Sequence, residues 1–162
     1  MKYRPADSEV VVRSEDTSMP QRLSTAFKEK VSVEPIAGDS KSWLVRFDSP
    51  GDIKSRVRSL KTKFKDLKVF PLLFDPSGHR LVPTGQVRVR FNHRVDEKQL
   101  RKFAADKELE LVERDEQAPE QATFQPSHSE DYLLDVIERA TAGDDVRLAW
   151  PETKAQYHKY TK

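Results

Sequence analysis

A short segment of this chain brings a serine close to a histidine, the pair on which hydrolytic chemistry most often depends. Ser77 and His79 are two residues apart in a Pro-Ser-Gly-His sequence. A serine nucleophile also needs a carboxylate that orients the histidine, and in many hydrolases it lies in a Gly-x-Ser-x-Gly turn between a strand and a helix. The segment lacks that pattern, so we interpret it as a structural turn.

The sequence also lacks the usual patterns for metal, nucleotide and thiol chemistry. Its four histidines are scattered, and no two have the i, i+4 spacing of a helical zinc site. The five glycines form neither a dinucleotide-binding fingerprint nor a phosphate-binding loop. The absence of cysteine excludes disulfides, thiolate ligands and a cysteine nucleophile. We therefore expect no metal, no cofactor and no enzymatic activity.

A run of basic residues is the other candidate for chemistry. Apolar residues at helical spacing in the same segment predict an amphipathic helix, with the basic residues on its solvent side. We interpret them as a solvated helix face, and contact with an acidic partner or with phosphates is the alternative. The whole chain has 29 basic and 27 acidic residues, a balance that does not favour a dedicated nucleic-acid binder. The basic residues are Lys54, Arg56, Arg58, Lys61, Lys63, Lys65 and Lys68.

The elements that would position these residues occur twice along the chain. Glu9–Arg13 and Gln86–Arg90 are similar β-branched segments, separated by 77 residues. Self-similarity at a nearly fixed period indicates a repeated domain. Further pairs match at an offset of 80: Ile53 with Leu133, Val57 with Ile137, Phe70 with Trp150 and Pro71 with Pro151.

Each copy has the predicted element order β-α-β-β-α-β, which is typical of ferredoxin-like domains. We therefore predict an α+β protein with two tandem ferredoxin-like domains. Each would form a four-stranded antiparallel sheet with two helices on one face. Ser18 and Asp96 are predicted helix N-caps, and Phe70 and Trp150 are predicted to occupy equivalent core positions.

The predicted domain boundaries follow from this repeat. Residues 1–8 are a leader, 9–79 the first repeat, 80–85 a linker, 86–151 the second repeat and 152–162 a C-terminal tail. The residues on either side of the turn that contains Ser77 and His79 are predicted to pair as a hairpin.

Three segments of the second copy resemble the N-terminal prodomain of subtilisin-like serine peptidases, most closely the fervidolysin-like type. Thr84–Phe91 is similar to the family's first strand, Glu108–Arg114 to its Leu-Glu-Leu-Val-Glu strand, and Asp145–Pro151 to its last strand. The last strand departs from the family's Ala-Glu-Pro-Asn ending at Ala149–Glu152. The first copy, residues 9–75, resembles the family more weakly.

The resemblance implies a folding chaperone and inhibitor of a peptidase, without catalytic residues of its own. In such prodomains the open sheet face lies on the catalytic domain and the C-terminal tail lies in the substrate cleft. The partner would be a subtilisin-like catalytic domain, in cis or in trans. The residues that correspond to the open face are Arg88 and Arg90, and those of the tail are Tyr157, His158, Lys159, Tyr160, Thr161 and Lys162.

Two other functions remain open at this stage. A general interaction or scaffold protein could share the fold, since a fold does not determine function. A nucleic-acid binder would show salt-sensitive binding through Lys54–Lys68. No apolar run reaches the roughly 20 residues that span a bilayer, and the first residues do not resemble a secretory signal. These features predict a cytoplasmic protein without membrane contact, unless the chain is a fragment of a longer protein.

Overall fold

The computed structural model describes residues 3–27 and 30–154, which divide into two compact units. The first unit comprises Met1–Pro83 with Thr153–Lys162, and the second comprises Thr84–Glu152. The first contains β1 (Arg4–Arg13), α1 (Met19–Ala26), β2 (Val31–Ile36), β3 (Asp39–Phe47), α2 (Ile53–Lys63), β4 (Lys68–Phe74) and β5 (Arg80–Leu81). The second is built from β6 (Pro83–Phe91), α3 (Glu97–Asp106), β7 (Leu109–Arg114), β8 (Gln121–Pro126), α4 (Leu133–Thr141) and β9 (Val146–Thr153), and the terminal strand residues Pro83 and Thr153 are grouped with the first unit.

Apart from the additional edge strand β5 in the first unit, the two sheets have the same strand order, which supports the repeat seen in the sequence. In the first unit the order is β2-β3-β1-β4-β5, and in the second it is β7-β8-β6-β9. The first strand of each copy is therefore central, with the third strand on one side and the fourth on the other. Strands β2, β3, β1, β4 and β5 pair antiparallel with their neighbours, as do β7 with β8 and β8 with β6. The protein is thus α+β, with four helices and two sheets in the described residues.

Both helices of the first unit pack on one face of its sheet. The ring of Phe47 in β3 lies 5.3 Å from that of Phe27, which follows α1, and the Arg56 guanidinium of α2 lies 4.3 Å from the centre of the same ring. Helix α2 buries Ile53 and Leu60 at the helical spacing that the sequence predicts.

The opposite face of the first sheet is also apolar and buried. Its side chains come from all four long strands and from the segment after β5, so this face is not a polar surface. Consecutive apolar residues in β1 and β4 point to opposite faces, so both faces of the sheet are apolar. The cluster consists of Ala6, Val11, Ile36, Leu44, Leu72 and Val82, with Phe74 packed against it.

The second unit has an aromatic core on the helix side of its sheet. The ring of Phe103 in α3 lies 4.9 Å from that of Phe91 in β6 and 5.3 Å from that of Phe124 in β8. Asp96 is the N-cap of α3, as predicted, and forms a capping box with Gln99. By contrast Ser18 precedes α1 without a capping hydrogen bond from its side chain.

Several boundaries differ from those predicted. Residues 4–8, predicted as part of a leader, belong to β1, because Arg4 and Pro5 pair with the end of β4. The predicted linker 80–85 lies mostly in β5 and β6, since β5 pairs with β4 in the expected hairpin. In addition, Thr153 and Lys154, predicted as tail, belong to the first unit.

Phe70 and Trp150 are half-buried rather than part of the core. In β4, Val69 and Pro71 are buried beside Phe70 and pair with the two residues that flank Val11. Alternation therefore turns Phe70 to the face without helices, opposite Val11. None of the helices in the described part of the chain is long and apolar enough to cross a membrane.

Candidate partner-binding surface

Strand β6 divides the second sheet into an apolar and a cationic face. Val87, Val89 and Phe91 are buried, and they alternate with half-buried residues that include Arg88 and Arg90. A strand turns successive side chains to opposite faces, so the two arginines lie away from Phe103 and the aromatic core. The sequence therefore predicts the face of these two residues correctly, and their role remains a prediction.

The two guanidinium groups are weakly satisfied within the second unit. A terminal nitrogen of Arg88 lies 4.0 Å from Oδ2 of Asp115, too far for a strong hydrogen bond. The Nε of Arg90 is buried and has no hydrogen-bond partner among the described residues. Most buried donors in proteins are paired, and an unpaired one costs about 1–3 kcal/mol or more when it is charged. Arg90 is therefore an exception among the buried donors of the described residues.

The residues beside the arginines are mainly uncharged. Thr123 pairs with Arg88 across the sheet, and Gln121 pairs with Arg90. Farther along the same face, the side-chain amide of Gln125 donates to Glu110 at 2.9 Å, so this carboxylate already has a partner. The face thus has an amide and a hydroxyl beside the two cationic groups, with the carboxylates of Glu110 and Glu113 farther out on β7. A carboxylate of a partner would therefore bind at the arginines and not across the whole face.

The last strand adds apolar surface on the same side. Ala149 and Pro151 are buried, whereas Leu148 and Trp150 alternate with them and are half-buried. Val112 lies at a bulge in the pairing of β7 with β8 and is 43% exposed, the one large exposed hydrophobic residue that the described residues contain. Apolar groups next to arginines and a tryptophan are typical of protein-binding surfaces.

The first unit contains a buried carboxylate that binds several cationic and polar groups. The Oδ2 atom of Asp39 accepts a hydrogen bond from Arg13 at 3.1 Å and from the Ser42 hydroxyl at 2.6 Å. It also forms an ion pair with the Nζ of Lys154, and the Lys41 backbone N–H donates to Oδ1 at 3.0 Å. The Asp39 side chain is only 7% exposed.

These contacts determine the ionisation of Asp39. Burial by itself would raise the pKa of this carboxyl group, because it disfavours the charged form. Hydrogen bonds from Lys154, Ser42 and the Lys41 backbone favour the carboxylate, and together they hold its pKa well below the usual range. Asp39 is therefore a permanent anion at physiological pH.

The predicted tail residues, Tyr157, His158, Lys159, Tyr160, Thr161 and Lys162, lie outside the described residues. Their role in a substrate cleft stays a prediction. The last described residue is Lys154, and two contacts hold it in place. Its side chain pairs with Asp39, and its backbone N–H donates to the carbonyl of Val82 at 3.0 Å.

Two residues of the basic run have structural contacts. Arg56 lies over Phe47 and donates to the carbonyl of Ser49 at 2.8 Å. The Nζ of Lys63 donates to the carbonyl of Ala26 at 3.0 Å, which ties the end of α2 to the end of α1. These two cations contribute to the packing of the helices, in addition to the solvated helix face that the sequence predicts.

The segment with Ser77 and His79 is a turn that Asp75 closes. The Asp75 carboxylate accepts hydrogen bonds from the backbone N–H groups of His79 and Ser77, at 2.8 and 2.9 Å. The N–H of His79 is the largest cause of the lowered pKa of Asp75. In the described residues no group of three or more histidine, aspartate and glutamate side chains could hold a metal ion.

A groove of about 390 Å³ lies in the second unit, between the end of β6, α3 and the loop before β9. Phe91 and Phe103 form part of its floor, while Lys102, Asp106 and Asp144 contribute both signs of charge to its lining. Because the charges are mixed and Lys107 already donates to the Ala142 carbonyl, the groove does not select a ligand of one charge.

The sequence does not reveal the Asp39 centre, which consists of Asp39 with Arg13, Lys41, Ser42 and Lys154. Asp39 lies in an Ala-Gly-Asp-Ser segment that is typical of a turn, and its partner Lys154 is 115 residues away. No local pattern reveals such a pairing. Comparisons of the chain with protein-family models and with curated proteins found no match.

Proposed function

We propose that this protein is a non-catalytic module that binds a subtilisin-like serine peptidase, as a folding chaperone, an inhibitor or both. Each unit would be a ferredoxin-like domain, for which the shared element order and strand order are the support. The helix-free face of the second sheet would lie on the peptidase, and residues 157–162 would enter its substrate cleft.

The observation that carries the proposal is the unpaired Nε of Arg90 on this face. A protein keeps an unsatisfied buried donor at a cost in stability, and a binding role explains why that cost is tolerated. Arg88, with an acid only at 4.0 Å, supplies a second donor beside it. A carboxylate on the partner would accept from the Arg88 guanidinium, whose side chain is 41% exposed, and from the terminal nitrogens of the half-buried Arg90.

The contrast between the two sheets indicates which unit makes this contact. The helix-free face of the first sheet is an apolar cluster that is already buried, including Val11 and Leu72. The same face of the second sheet has Arg88, Arg90 and half-buried Trp150. Arginine and tryptophan are the residues that most often dominate binding energy at protein interfaces. We therefore assign the main contact to the second unit.

The experiment measures binding to a subtilisin-like peptidase whose active-site serine has been blocked by a small covalent inhibitor. The variants are Arg88→Met, Arg90→Met and the double substitution, with the exposed Arg94→Met as the matched control. We expect the double variant to weaken binding at least about 100-fold, since truncating a desolvated, hydrogen-bonded charge costs 2–5 kcal/mol. Equal binding by the double variant and the wild-type protein would contradict the proposed surface.

The alternatives give different results in the same assay. A general scaffold protein would not bind the peptidase at all. A nucleic-acid binder would instead bind DNA or RNA with an affinity that falls steeply with salt, and charge reversal at Arg58 and Lys65 in the basic run would weaken it. The proposal expects no such loss of peptidase binding when these exposed side chains are changed.

A further inference from the structure

The first unit includes two residues that follow the second unit in the chain. Thr153 and Lys154 belong to it, although the 69 residues from Thr84 to Glu152 separate them from Pro83. The backbone N–H of Lys154 donates to the carbonyl of Val82 at 3.0 Å. The chain thus leaves the first unit after Pro83 and returns to it at Thr153.

The side chain of Lys154 ends in the buried Asp39 centre. It is 17% exposed, and its Nζ forms an ion pair with the carboxylate of Asp39. Arg13 shares the same oxygen, and Ser42 donates to it as well. The returning segment is therefore held by a charged side-chain contact and a backbone hydrogen bond that involve the same residue.

We infer that the first unit is a holder for the chain that leaves the second unit, and that Asp39 fixes this segment by binding Lys154. The functional consequence rests on the proposed function: the holder sets the point from which residues 157–162 extend towards a substrate cleft. The two units then have different tasks, because the second binds the partner and the first positions the tail.

A buried ion pair suits this task better than an apolar contact. Hydrophobic contacts are non-directional, so an apolar side chain could shift along the surface with little change in free energy. A buried charge must meet its partner or remain unpaired, so the pair fixes one alignment of the segment. The neighbouring hydrogen bond to Val82 fixes the same alignment through the backbone.

The test uses the full chain and the substitution Lys154→Met, which keeps the length of the side chain and removes its charge. Asp39 retains Arg13, Ser42 and the Lys41 backbone N–H in this variant, so the first unit should still fold. The variant Lys154→Arg keeps a positive charge at this position and should restore the contact with Asp39. Lys41→Met is the matched control, because the side chain of Lys41 has an exposed ion pair with Glu15 and its backbone N–H, which donates to Asp39, is kept.

The first readout is amide hydrogen exchange at Lys154, measured by NMR. We expect Lys154→Met to speed exchange at residue 154 at least about tenfold, because its N–H would lose a fixed position beside the Val82 carbonyl. The arginine variant should recover most of the protection, and Lys41→Met should leave it unchanged. Unchanged protection in Lys154→Met would overturn the inference.

The second readout is inhibition of an unblocked peptidase. We expect Lys154→Met to raise the inhibition constant about tenfold, as the loss of tail positioning lowers the effective concentration of the tail at the cleft. Binding to the blocked peptidase through Arg88 and Arg90 should not change. If the wild-type protein inhibits no subtilisin-like peptidase, the proposed function fails, and the exchange measurement still decides whether Asp39 holds Lys154. Equal inhibition by the variant and the wild-type protein would contradict the positioning role.

Discussion

Arg90 departs from the rule that buried donors are paired. Its Nε is buried on the helix-free face of the second sheet, and the described residues offer it no acceptor. Its neighbour Val89 turns to the core with 0% exposure, so the strand itself does not require a charge at position 90. Residues that reduce stability and serve binding are a common feature of functional surfaces.

This position gives a stability prediction that is separate from binding. Arg90→Met replaces the unpaired donor with an apolar side chain of similar length. We expect the free energy of unfolding to stay equal or to rise by about 1 kcal/mol, because the desolvation penalty disappears. Urea unfolding of the variant and of Arg94→Met measures the difference. A loss of several kcal/mol in Arg90→Met would mean that the side chain has a structural partner, and would remove the main argument for a binding role.

Asp39 gives a prediction for the pH dependence of stability. Its pKa is lower in the folded protein than the ordinary value of 3.8. The carboxylate therefore stabilises the fold fully above about pH 4 and less as the pH falls towards the folded pKa. We expect Asp39→Asn to lower the stability by about 3 kcal/mol at pH 7, and to lose less stability than the wild-type protein between about pH 4 and pH 2.

The measurement is the urea midpoint of both proteins across this pH range, with the exposed Asp66→Asn as the control. Parallel pH profiles of Asp39→Asn and the wild-type protein would show that the ionisation of Asp39 is not linked to folding.

At the scale of elements, the two copies differ in how their first helices begin. Asp96 and Gln99 form a complete capping box at α3, with hydrogen bonds of 2.7 and 2.8 Å. Ser18, at the equivalent place before α1, instead donates from its hydroxyl to Asp16 at 2.7 Å. The sequence predicts an N-cap at both positions, because serine and aspartate are equally good candidates by type. The backbone conformation at the N-cap residue determines whether its side chain can accept a hydrogen bond from the first turn of the helix.

This difference predicts unequal costs for the same kind of substitution. Asp96→Ala should lower the free energy of unfolding by about 1 kcal/mol, as is usual for a lost N-cap. Ser18→Ala removes no capping hydrogen bond and should cost less than about 0.5 kcal/mol. Chemical unfolding of the two variants in the same buffer tests this. Equal costs would mean that the capping geometry does not determine the stability of α3.

Periodicity explains which elements the sequence could predict. The alternation in β6 and the apolar stripe in α2 are local patterns, and the structure has both as expected. The ends of elements depend on pairing instead. Residues 4–8 look polar in sequence, yet Arg4 and Pro5 extend β1 because the end of β4 offers a partner. Phe70 is apolar and aromatic, yet it is only half-buried, although Leu72 on the same face of β4 is fully buried.

At the scale of the whole molecule, the two units differ in how the chain builds them. The second is one continuous segment, Thr84–Glu152, whereas the first also needs Thr153 and Lys154. A repeat found in the sequence suggests two equivalent and separable domains. It cannot reveal that one copy takes in the segment after the other, because the pairing of Asp39 with Lys154 spans 115 residues without a local signal.

This organisation predicts a different result for the two halves of the chain. A fragment of residues 84–152 should fold cooperatively by itself, because its aromatic core and the capping box of α3 lie within this segment. A fragment of residues 1–83 should be less stable than residues 1–83 in the full chain, because Asp39 loses Lys154 and Val82 loses its hydrogen bond. Circular dichroism during urea unfolding compares them. A first fragment with the stability it has in the full chain would contradict the holder role of the first unit.

The central claim is that the protein binds a subtilisin-like peptidase with its second sheet and its tail together. The most direct measurement is the inhibition constant of such a peptidase with the full chain and with residues 1–156. The account predicts tight inhibition by the full chain and at least about 100-fold weaker inhibition by the truncated protein, which still binds the blocked enzyme through Arg88 and Arg90. Inhibition that is absent, or that is equal for both proteins, would contradict the account.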